Sequence, residues 1–401
     1  MDILLSTPHP LDSGAGASIV TIRLADALRK RGHSVSTLSF ENLPWLPGKL
    51  RALVFPWAVF LHVLAHPEYD VLDLSSGDGW VVNLARRVIG GRRRQLSVSR
   101  SHGLEHVAHE RLLGGGEEGG ERGNERSKER RDKGTSWKYR LYRGGYRLWE
   151  CRRSFELADV SLLLNETERR YVASRFGVAS DRIVKVGNGI DDCFTRIARH
   201  LLADRDAVHG ASVNVAFAGR AAFKNGFACV SEAMIRVLVR YPQMKLGLFG
   251  TGGTEDSVLA AFPVELRKQI VVVTRCDHGD LPALFAGFQI LAFASPDEPF
   301  GIVPLEAMAC GLVPVVAEVG EVAEYIRDGE NGVVVHARDA DALETAIIGL
   351  IDDRDKWLAL RRAALATAVT HSWGDLAARI ELLYCQHRQH RQHRQQRLRA
   401  G

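Results

Sequence analysis

The first forty residues, MDILLSTPHPLDSGAGASIVTIRLADALRKRGHSVSTLSF, decide the fold class. Asp2–Ser6 is a short apolar strand, and Thr7–Ala17 is a loop punctuated by Pro and Gly. Ser18 is placed to cap a helix that runs to Arg31, because a serine hydroxyl can accept an orphan N–H of the first turn. Val20, Leu24, Ala27 and Leu28 recur at helical spacing and give that helix one apolar stripe. Arg29, Lys30 and Arg31 fill its last turn, where cations suit the dipole, and Gly32 fits the C-terminal cap. Val35–Phe40 reads as the second strand. Strand, helix and parallel strand together predict a doubly wound α/β sheet.

The same grammar continues outward. Tyr69–Leu74, Gln95–Arg100, Val160–Leu164 and Ile183–Val186 read as further strands. A second series begins at Val213–Ala218 and continues through Lys245–Phe249, Ile270–Thr274, Ile290–Phe293 and Val313–Ala317. A chain of 401 residues exceeds what one core usually holds, so two domains are expected. We place them at 1–192, with a mobile insertion over 114–136, and at 193–370; the polar stretch Thr195–Ser212 reads as their connection. A C-terminal helix over 371–385 is expected to return to the first domain. The His-Arg-Gln units from His387 predict a disordered basic tail over 386–401, with its histidines solvated rather than metal-bound.

Composition narrows the class. Apolar residues are 46% and charged residues 25%, ordinary for a globular chain, and the net charge of +5 favours anionic partners without implying nucleic acid. The six cysteines stand at no zinc or redox spacing and read as reduced, mostly small core residues. The start lacks the pattern of a signal peptide, so a cytoplasmic location is expected, with peripheral contact at the inner face of the membrane as an addition. The apolar stretch Leu50–Ala65 is shorter than the roughly 20 residues that span a bilayer. It reads as a buried helix, with an interfacial membrane helix as the alternative. In 137–153, Trp137, Tyr139, Tyr142, Tyr146 and Trp149 interleave with Arg140, Arg143, Arg147, Arg152 and Arg153. That pattern fits either inward packing of the aromatics or rest on anionic lipid headgroups.

Chemistry concentrates in the loops that follow strands. In Ser295-Pro-Asp-Glu298-Pro-Phe-Gly301-Ile-Val-Pro304-Leu-Glu306-Ala-Met-Ala-Cys-Gly311, a strand gives way to a loop and then a helix. Pro304 suits the first turn and Gly311 the end of that helix. The region of Gly301 then presents backbone N–H groups to an anion, with Glu298 before the helix and Glu306 within it. In Gly219-Arg220-Ala-Ala-Phe-Lys224-Asn-Gly226, two cations can converge on a diphosphate while Gly219 lets the backbone approach. Gly250-Thr-Gly252-Gly253 adds a glycine cluster after another strand, and Gly14 with Gly16 forms a loop before the first helix. His102 follows a strand, where open α/β sheets place ligands. Glu41, beyond the second strand, keeps open a nicotinamide-dependent oxidoreductase built on the first βαβ unit. A non-catalytic sugar-nucleotide-binding protein is a further alternative.

This set of motifs resembles the family-4 glycosyltransferases. The resemblance runs from the Gly14/Gly16 loop to Trp373 and the helix after it. It is most specific at the Glu298…Glu306 pair and at Gly219-Arg220 with Lys224-Asn-Gly226. Gly187-Asn188-Gly189-Ile190-Asp191 and Ala158-Asp159-Val160 through Asn165-Glu-Thr-Glu-Arg fit as well. It implies the GT-B fold: two Rossmann-like doubly wound domains facing a central cleft. It also implies a retaining transfer of a hexose-type sugar from a UDP- or GDP-sugar to a glycan, lipid-linked or small-molecule hydroxyl, as in polysaccharide biosynthesis. Glu298, His102, Arg220 and Lys224 are the implied catalytic residues. Gly14, Gly16, Gly219, Arg220, Lys224, Gly250, Phe300, Gly301, Ile302 and Glu306 are the implied donor-binding residues. No cofactor or metal is expected. The chain departs from the family pattern at Gly187, where Pro is usual, at Gly14-Ala-Gly16, where glycines are usually adjacent, and at Thr274-Arg275-Cys276, where a glycine is usual.

Overall fold

The computed structural model describes residues 1–11, 16–43, 48–88, 95–114, 137–203, 213–221, 226–296, 298, 300–320 and 322–400. It divides into two compact units, Met1–Gly187 with Leu376–Gly401, and Asn188–Asp375. The 114–136 insertion lies, but for Gly114, outside the described residues, as do Gly14 and Lys224.

The first unit holds a six-stranded parallel sheet of β1 (Asp2–Ser6), β2 (Ser34–Leu38), β3 (Val71–Ser75), β4 (Leu96–Arg100), β5 (Val160–Leu163) and β6 (Ile183–Lys185). Their order is β2-β1-β3-β4-β5-β6. Its helices are α1 (Gly16–Lys30), α2 (Gly48–Ala65), α3 (Trp80–Val88), α4 (Glu105–Gly114), α5 (Trp137–Leu141), α6 (Arg147–Leu157) and α7 (Glu166–Phe176). The stripe of α1 is buried as its spacing requires. Ser18 is not its cap: the helix begins two residues earlier, and the Ser18 hydroxyl instead donates to the Pro10 carbonyl at 2.6 Å. β3 and β4 are buried along their length although they carry Asp73 and Arg100. The two pair bidentately, and the Tyr384 hydroxyl also bonds Asp73, so the buried charges have their partners.

The second unit repeats the architecture with β7 (Val215–Ala218), β8 (Leu246–Phe249), β9 (Ile270–Val273), β10 (Ile290–Phe293), β11 (Val313–Ala317) and β12 (Val333–Val335). Their order is β12-β11-β10-β7-β8-β9, all parallel. Helices α8 (Asp192–Ala203), α9 (Phe227–Arg240), α10 (Glu255–Leu259), α11 (Leu281–Phe285), α12 (Ile302–Ala309), α13 (Val322–Tyr325), α14 (Ala340–Asp352) and α15 (Arg354–Val369) accompany them. One apolar core joins Phe217, Met234, Leu248, Ile290, Val315, Ile347 and Trp357. Strands buried on both faces read as unbroken apolar runs, which is why β7, β8, β10 and β11 are visible in the sequence. The short β12 is not.

Three boundaries differ from the sequence expectation. The unit changes at Gly187/Asn188, and the stretch expected as a connection begins inside α8, a helix of the second unit. There Gly189 is required by close approach: a Cβ would stand 2.7 Å from the Trp373 nitrogen, because Ile190 exchanges backbone hydrogen bonds with His371 and Trp373. α16 (Trp373–Ala400) runs on through the segment expected as a tail, and Arg388 pairs with Asp70 at 2.6 Å. The stretch 50–65 is not simply a buried helix, since α2 buries Phe55, Val59 and Val63 and exposes its opposite face.

Candidate active site

In open α/β sheets, ligands gather at the carboxyl ends of strands where the strand order reverses. In the second unit that point lies between β7 and β10. The loops leaving these strands are pressed together. Gly226, with φ of 74°, starts α9, and a Cβ there would stand 2.0 Å from the Ala294 carbonyl oxygen. Glycine at 226 thus lets the Arg220 loop lie directly against the loop that carries Glu298.

Gly219 follows β7 with φ of 140°, and its N–H donates to the Phe249 carbonyl at 2.9 Å. Arg220 follows and is exposed. Gly250, Gly252 and Gly253 follow β8 with φ of 66°, 69° and 69°, and the Gly250 N–H donates to the Val273 carbonyl. On the other side of the reversal, Ser295 and Phe300 are buried and Gly301, with φ of 81°, caps α12. The Gly301 N–H donates to the Glu298 carboxylate at 3.1 Å, and the Tyr325 hydroxyl donates to the Gly301 carbonyl at 2.5 Å. A Cβ on Gly301 would meet a Val322 methyl at 2.4 Å, so this turn also demands glycine. Ile302 opens the helix, whose first N–H groups suit an anion.

Glu306 lies one turn further along α12 and is buried. Its Oε1 meets Nδ1 of His278 at 3.0 Å. His278 stands in the loop after β9, and sequence reasoning missed it, since a loop histidine 28 residues upstream carries no local signal for this pairing. The second unit therefore brings Gly219, Arg220, Gly250, Glu298, Phe300, Gly301, Ile302 and Glu306 to one edge of one sheet.

The first unit reverses order between β1 and β3. Gly16 opens α1 after the β1 loop, and the Leu11 N–H in that loop donates to Glu41 at 3.1 Å, so this acid, which follows β2, is tied to the β1 loop. His102 follows β4, and burial first, then the Arg100 guanidinium, pushes its pKa down to about 4. Its imidazole is neutral at physiological pH and can accept a proton or a hydrogen bond but offers no cation.

Sequence reasoning also missed a buried cluster here. The Ser6 hydroxyl donates to Asp78 at 2.9 Å, and Trp80 Nε1 donates to Glu150 at 3.1 Å. Arg147 stands among three carboxylates: Glu105 at 3.2 Å, Glu150 at 3.5 Å and Asp78 at 3.9 Å. Burial raises the pKa of Asp78 and of Glu150 to about 7 each against the opposing pull of Arg147. The sequence pattern groups Arg147 with the other arginines of its segment, but the structure separates it from them. A turn of π-helix, Tyr142–Tyr146, shifts the register between α5 and α6 and sends Arg147 inward. A Cβ on Gly77 would stand 2.6 Å from a guanidinium nitrogen of Arg147, so the arginine tip would have to shift to admit it. Among the described residues no cluster of metal-ligating side chains occurs, and no helix is long and apolar enough to cross a membrane.

Comparisons with known proteins bear on the family and the fold. The model for Glycosyltransferase Family 4 matches residues 14–194, and that for Glycosyl transferases group 1 matches residues 209–367. The chain is 26% identical over 238 residues to a D-inositol 3-phosphate glycosyltransferase of Corynebacterium aurimucosum, covering 57% of this chain and 56% of that one. It is 29% identical over 210 residues to a glycogen synthase of Mycobacterium tuberculosis, covering 51% and 47%. The matches thus span about half the length of these curated relatives. In fold, it is similar to a sucrose-phosphate synthase from Thermosynechococcus elongatus, at 19% identity and a TM-score of 0.71, over 96% of this chain and 98% of that one. It is also similar to HepE of Anabaena, solved in complex with UDP-glucose, at 18% identity and a TM-score of 0.64, over 96% and 100%. Two family models that between them run from residue 14 to residue 367, over two parallel Rossmann-like sheets, place this chain among the family-4-like glycosyltransferases of the GT-B fold.

Proposed function

We propose that the chain moves a hexose-type sugar from a UDP- or GDP-sugar to an acceptor hydroxyl on a glycan, a lipid-linked carrier or a small molecule, with retention at the anomeric carbon. The observation that carries this reading is the contact of Gly226 with Ala294, which joins the Arg220 loop to the Glu298–Glu306 loop at the strand-order reversal. The backbone N–H of Ile302 at the start of α12, together with Arg220 and Lys224, suits a diphosphate that gains charge as it leaves. Glu306, held by His278, suits ribose hydroxyls, and Glu298 with the backbone of Phe300 to Ile302 suits the sugar. HepE, similar in fold, was solved with UDP-glucose, which favours a uridine donor.

In this reading the bond from the anomeric carbon to the diphosphate oxygen breaks, leaving an oxocarbenium-like sugar. The acceptor oxygen bonds to the same face, and the acceptor proton passes to the departing phosphate. The arginine and lysine cations do the neutralising, with no metal required. The reading includes peripheral contact of segment 137–153 with anionic lipid at the cytoplasmic face.

The test is a thermal-shift panel of UDP, GDP and ADP, followed by mass spectrometry of products formed from the stabilising nucleotide's sugars. Glu306→Gln and Lys224→Ala are each expected to lose roughly a hundredfold or more in turnover while melting as the wild type does. Near-normal transfer by both purified variants, or no shift with any of the three nucleotides, overturns the reading.

A further inference from the structure

Helix α2 exposes a face that a helix in water does not ordinarily carry. Among its residues 50–65, whose burial is described, the exposed positions are Leu50, Leu53, Trp57, Leu61, Leu64 and Ala65, every one apolar. The five large side chains are between 37% and 63% exposed and recur at spacings of three and four, so they form one stripe along the helix. The opposite face is already used, with Phe55, Val59 and Val63 in the core of the first unit.

The stripe continues onto a second element. Trp57 and Trp149, both exposed, rest edge-on against the buried Trp80, with ring centroids at 5.8 Å and 4.9 Å. Tyr146 stacks on Trp149 at 5.9 Å, and Arg143, three residues before Tyr146, is exposed. Trp137 and Leu141 are each 69% exposed on the same segment. Arg152 and Arg153 are half exposed at its other end.

Charge selects the occupant. Between them, residues 48–65 and 137–153 contain several lysines and arginines and a single carboxylate, the buried Glu150, although Arg147 turns inward and Arg152 and Arg153 also pair with Glu156 just beyond the segment. A second copy of the chain would set these cations against themselves, because a two-fold interface presents the same patch from both sides. An anionic bilayer meets both features: apolar side chains enter the headgroup boundary, tryptophans stay at that level, and arginines face the lipid phosphates. We propose that α2, lying in the plane of the membrane and flanked by the 137–153 segment, is the surface by which this protein docks on anionic lipid. The proposal deepens the reading above by naming the element that inserts. Vesicle binding is measured without any sugar donor, so either can fail while the other stands.

The experiment is flotation of the full chain with vesicles of phosphatidylcholine alone or mixed with phosphatidylglycerol. The wild type is expected to float with the mixed vesicles and far less with phosphatidylcholine, and added salt is expected to weaken it. Leu53→Glu with Leu61→Glu is expected to lower binding by about tenfold or more. Val239→Glu, an equally exposed site in the second unit, is expected to leave it unchanged. Arg143→Glu with Arg153→Glu is expected to abolish the preference for phosphatidylglycerol. Thermal melts of each variant verify folding. Failure of the wild type to float, undiminished flotation of the double-leucine variant, or equal flotation on both lipids overturns the proposal. So does a wild-type dimer in light scattering that the leucine substitutions dissociate, since the stripe then faces a second copy.

Discussion

The two sheets share one architecture yet finish their ligand-facing edges in opposite ways. At the ends of β7, β8 and β10 the second unit places backbone: Gly219, Gly226, Gly250, Gly252, Gly253 and Gly301 all have positive φ. At the ends of β1, β3 and β4 the first unit places side chains: Ser6, Asp78, His102, Glu105 and, from α6, Arg147. Among the described residues there, only Ser76 and Gly103 have positive φ. Glycines in left-handed turns carry no side chain to hold a ligand away, so the backbone can approach a diphosphate closely. Carboxylates and a neutral imidazole suit hydroxyl groups and would repel phosphate. The contrast is one of construction: one edge is finished with glycine backbone, the other with buried polar side chains.

The largest effect is expected where two backbones touch. Gly226→Ala combines a 2.0 Å clash on a carbonyl oxygen with a left-handed φ, and neither neighbour can rotate away. A loss of about 4 kcal/mol or more is expected, read as a collapsed denaturation midpoint or failure to accumulate folded protein. If Gly226→Ala melts like the wild type, the two loops are not joined as described.

Arg147→Met removes the cation from three carboxylates, two of them fully buried. About 3 kcal/mol of destabilisation is expected in urea titration, because breaking a buried pair strands the remaining charges. A near-neutral result would mean that the carboxylates shed their charge at no cost, and the side-chain-built edge would lose its organising residue.

Asp78→Asn is expected to show its effect through pH. A carboxyl raised from its ordinary value to about 7 binds a proton more tightly in the folded chain than in the unfolded one. The wild type therefore loses stability as pH rises from about 4 towards 7, and the neutral amide does not. The variant should gain about 1 to 2 kcal/mol on the wild type between pH 5 and pH 8. His102 and His106, both lowered to about 4, contribute the opposite slope equally in both proteins, while Glu150, whose charge helps raise Asp78, responds to the substitution and adds to the difference. Parallel pH profiles would count against burial as the cause.

The smallest effect is expected at Gly16, the described glycine of the first unit's own glycine loop. A Cβ there meets nothing within 4 Å, and the residue opens α1. Gly16→Ala should change stability by no more than about 1 kcal/mol, and in the favourable direction. Set beside Gly226→Ala, it separates a glycine required by packing from one whose only reason is an approaching ligand. A large loss of donor turnover at unchanged stability would identify the second kind.

Local pattern carried much of this. The apolar runs at Leu246–Phe249 and Ile290–Phe293 mark strands with errors of a residue or none, because parallel strands are buried on both faces. The Glu298…Glu306 spacing and the glycines after each strand are readable because a helix start and a tight turn have local chemistry. Ser18 misleads for the same reason: a capping residue is legible only if nothing distant competes for its hydroxyl, and the Pro10 carbonyl does. Arg147 misleads because one π-turn rotates everything after it, and no composition signals that register shift.

By itself, the sequence determined the strand–helix alternation, the parallel sheets and the strand-following loops that bear the motifs, since each follows from periodicity and turn chemistry within a few residues. The tertiary structure alone decided that Gly226 meets Ala294, that His278 holds Glu306, that Arg147 turns inward among three acids, and that α2 leaves an apolar face uncovered. Those outcomes depend on which strands become neighbours and how helices settle on them. The free energy that selects this order is the burial of whole faces, summed over residues far apart in the chain, and no short window of sequence contains it.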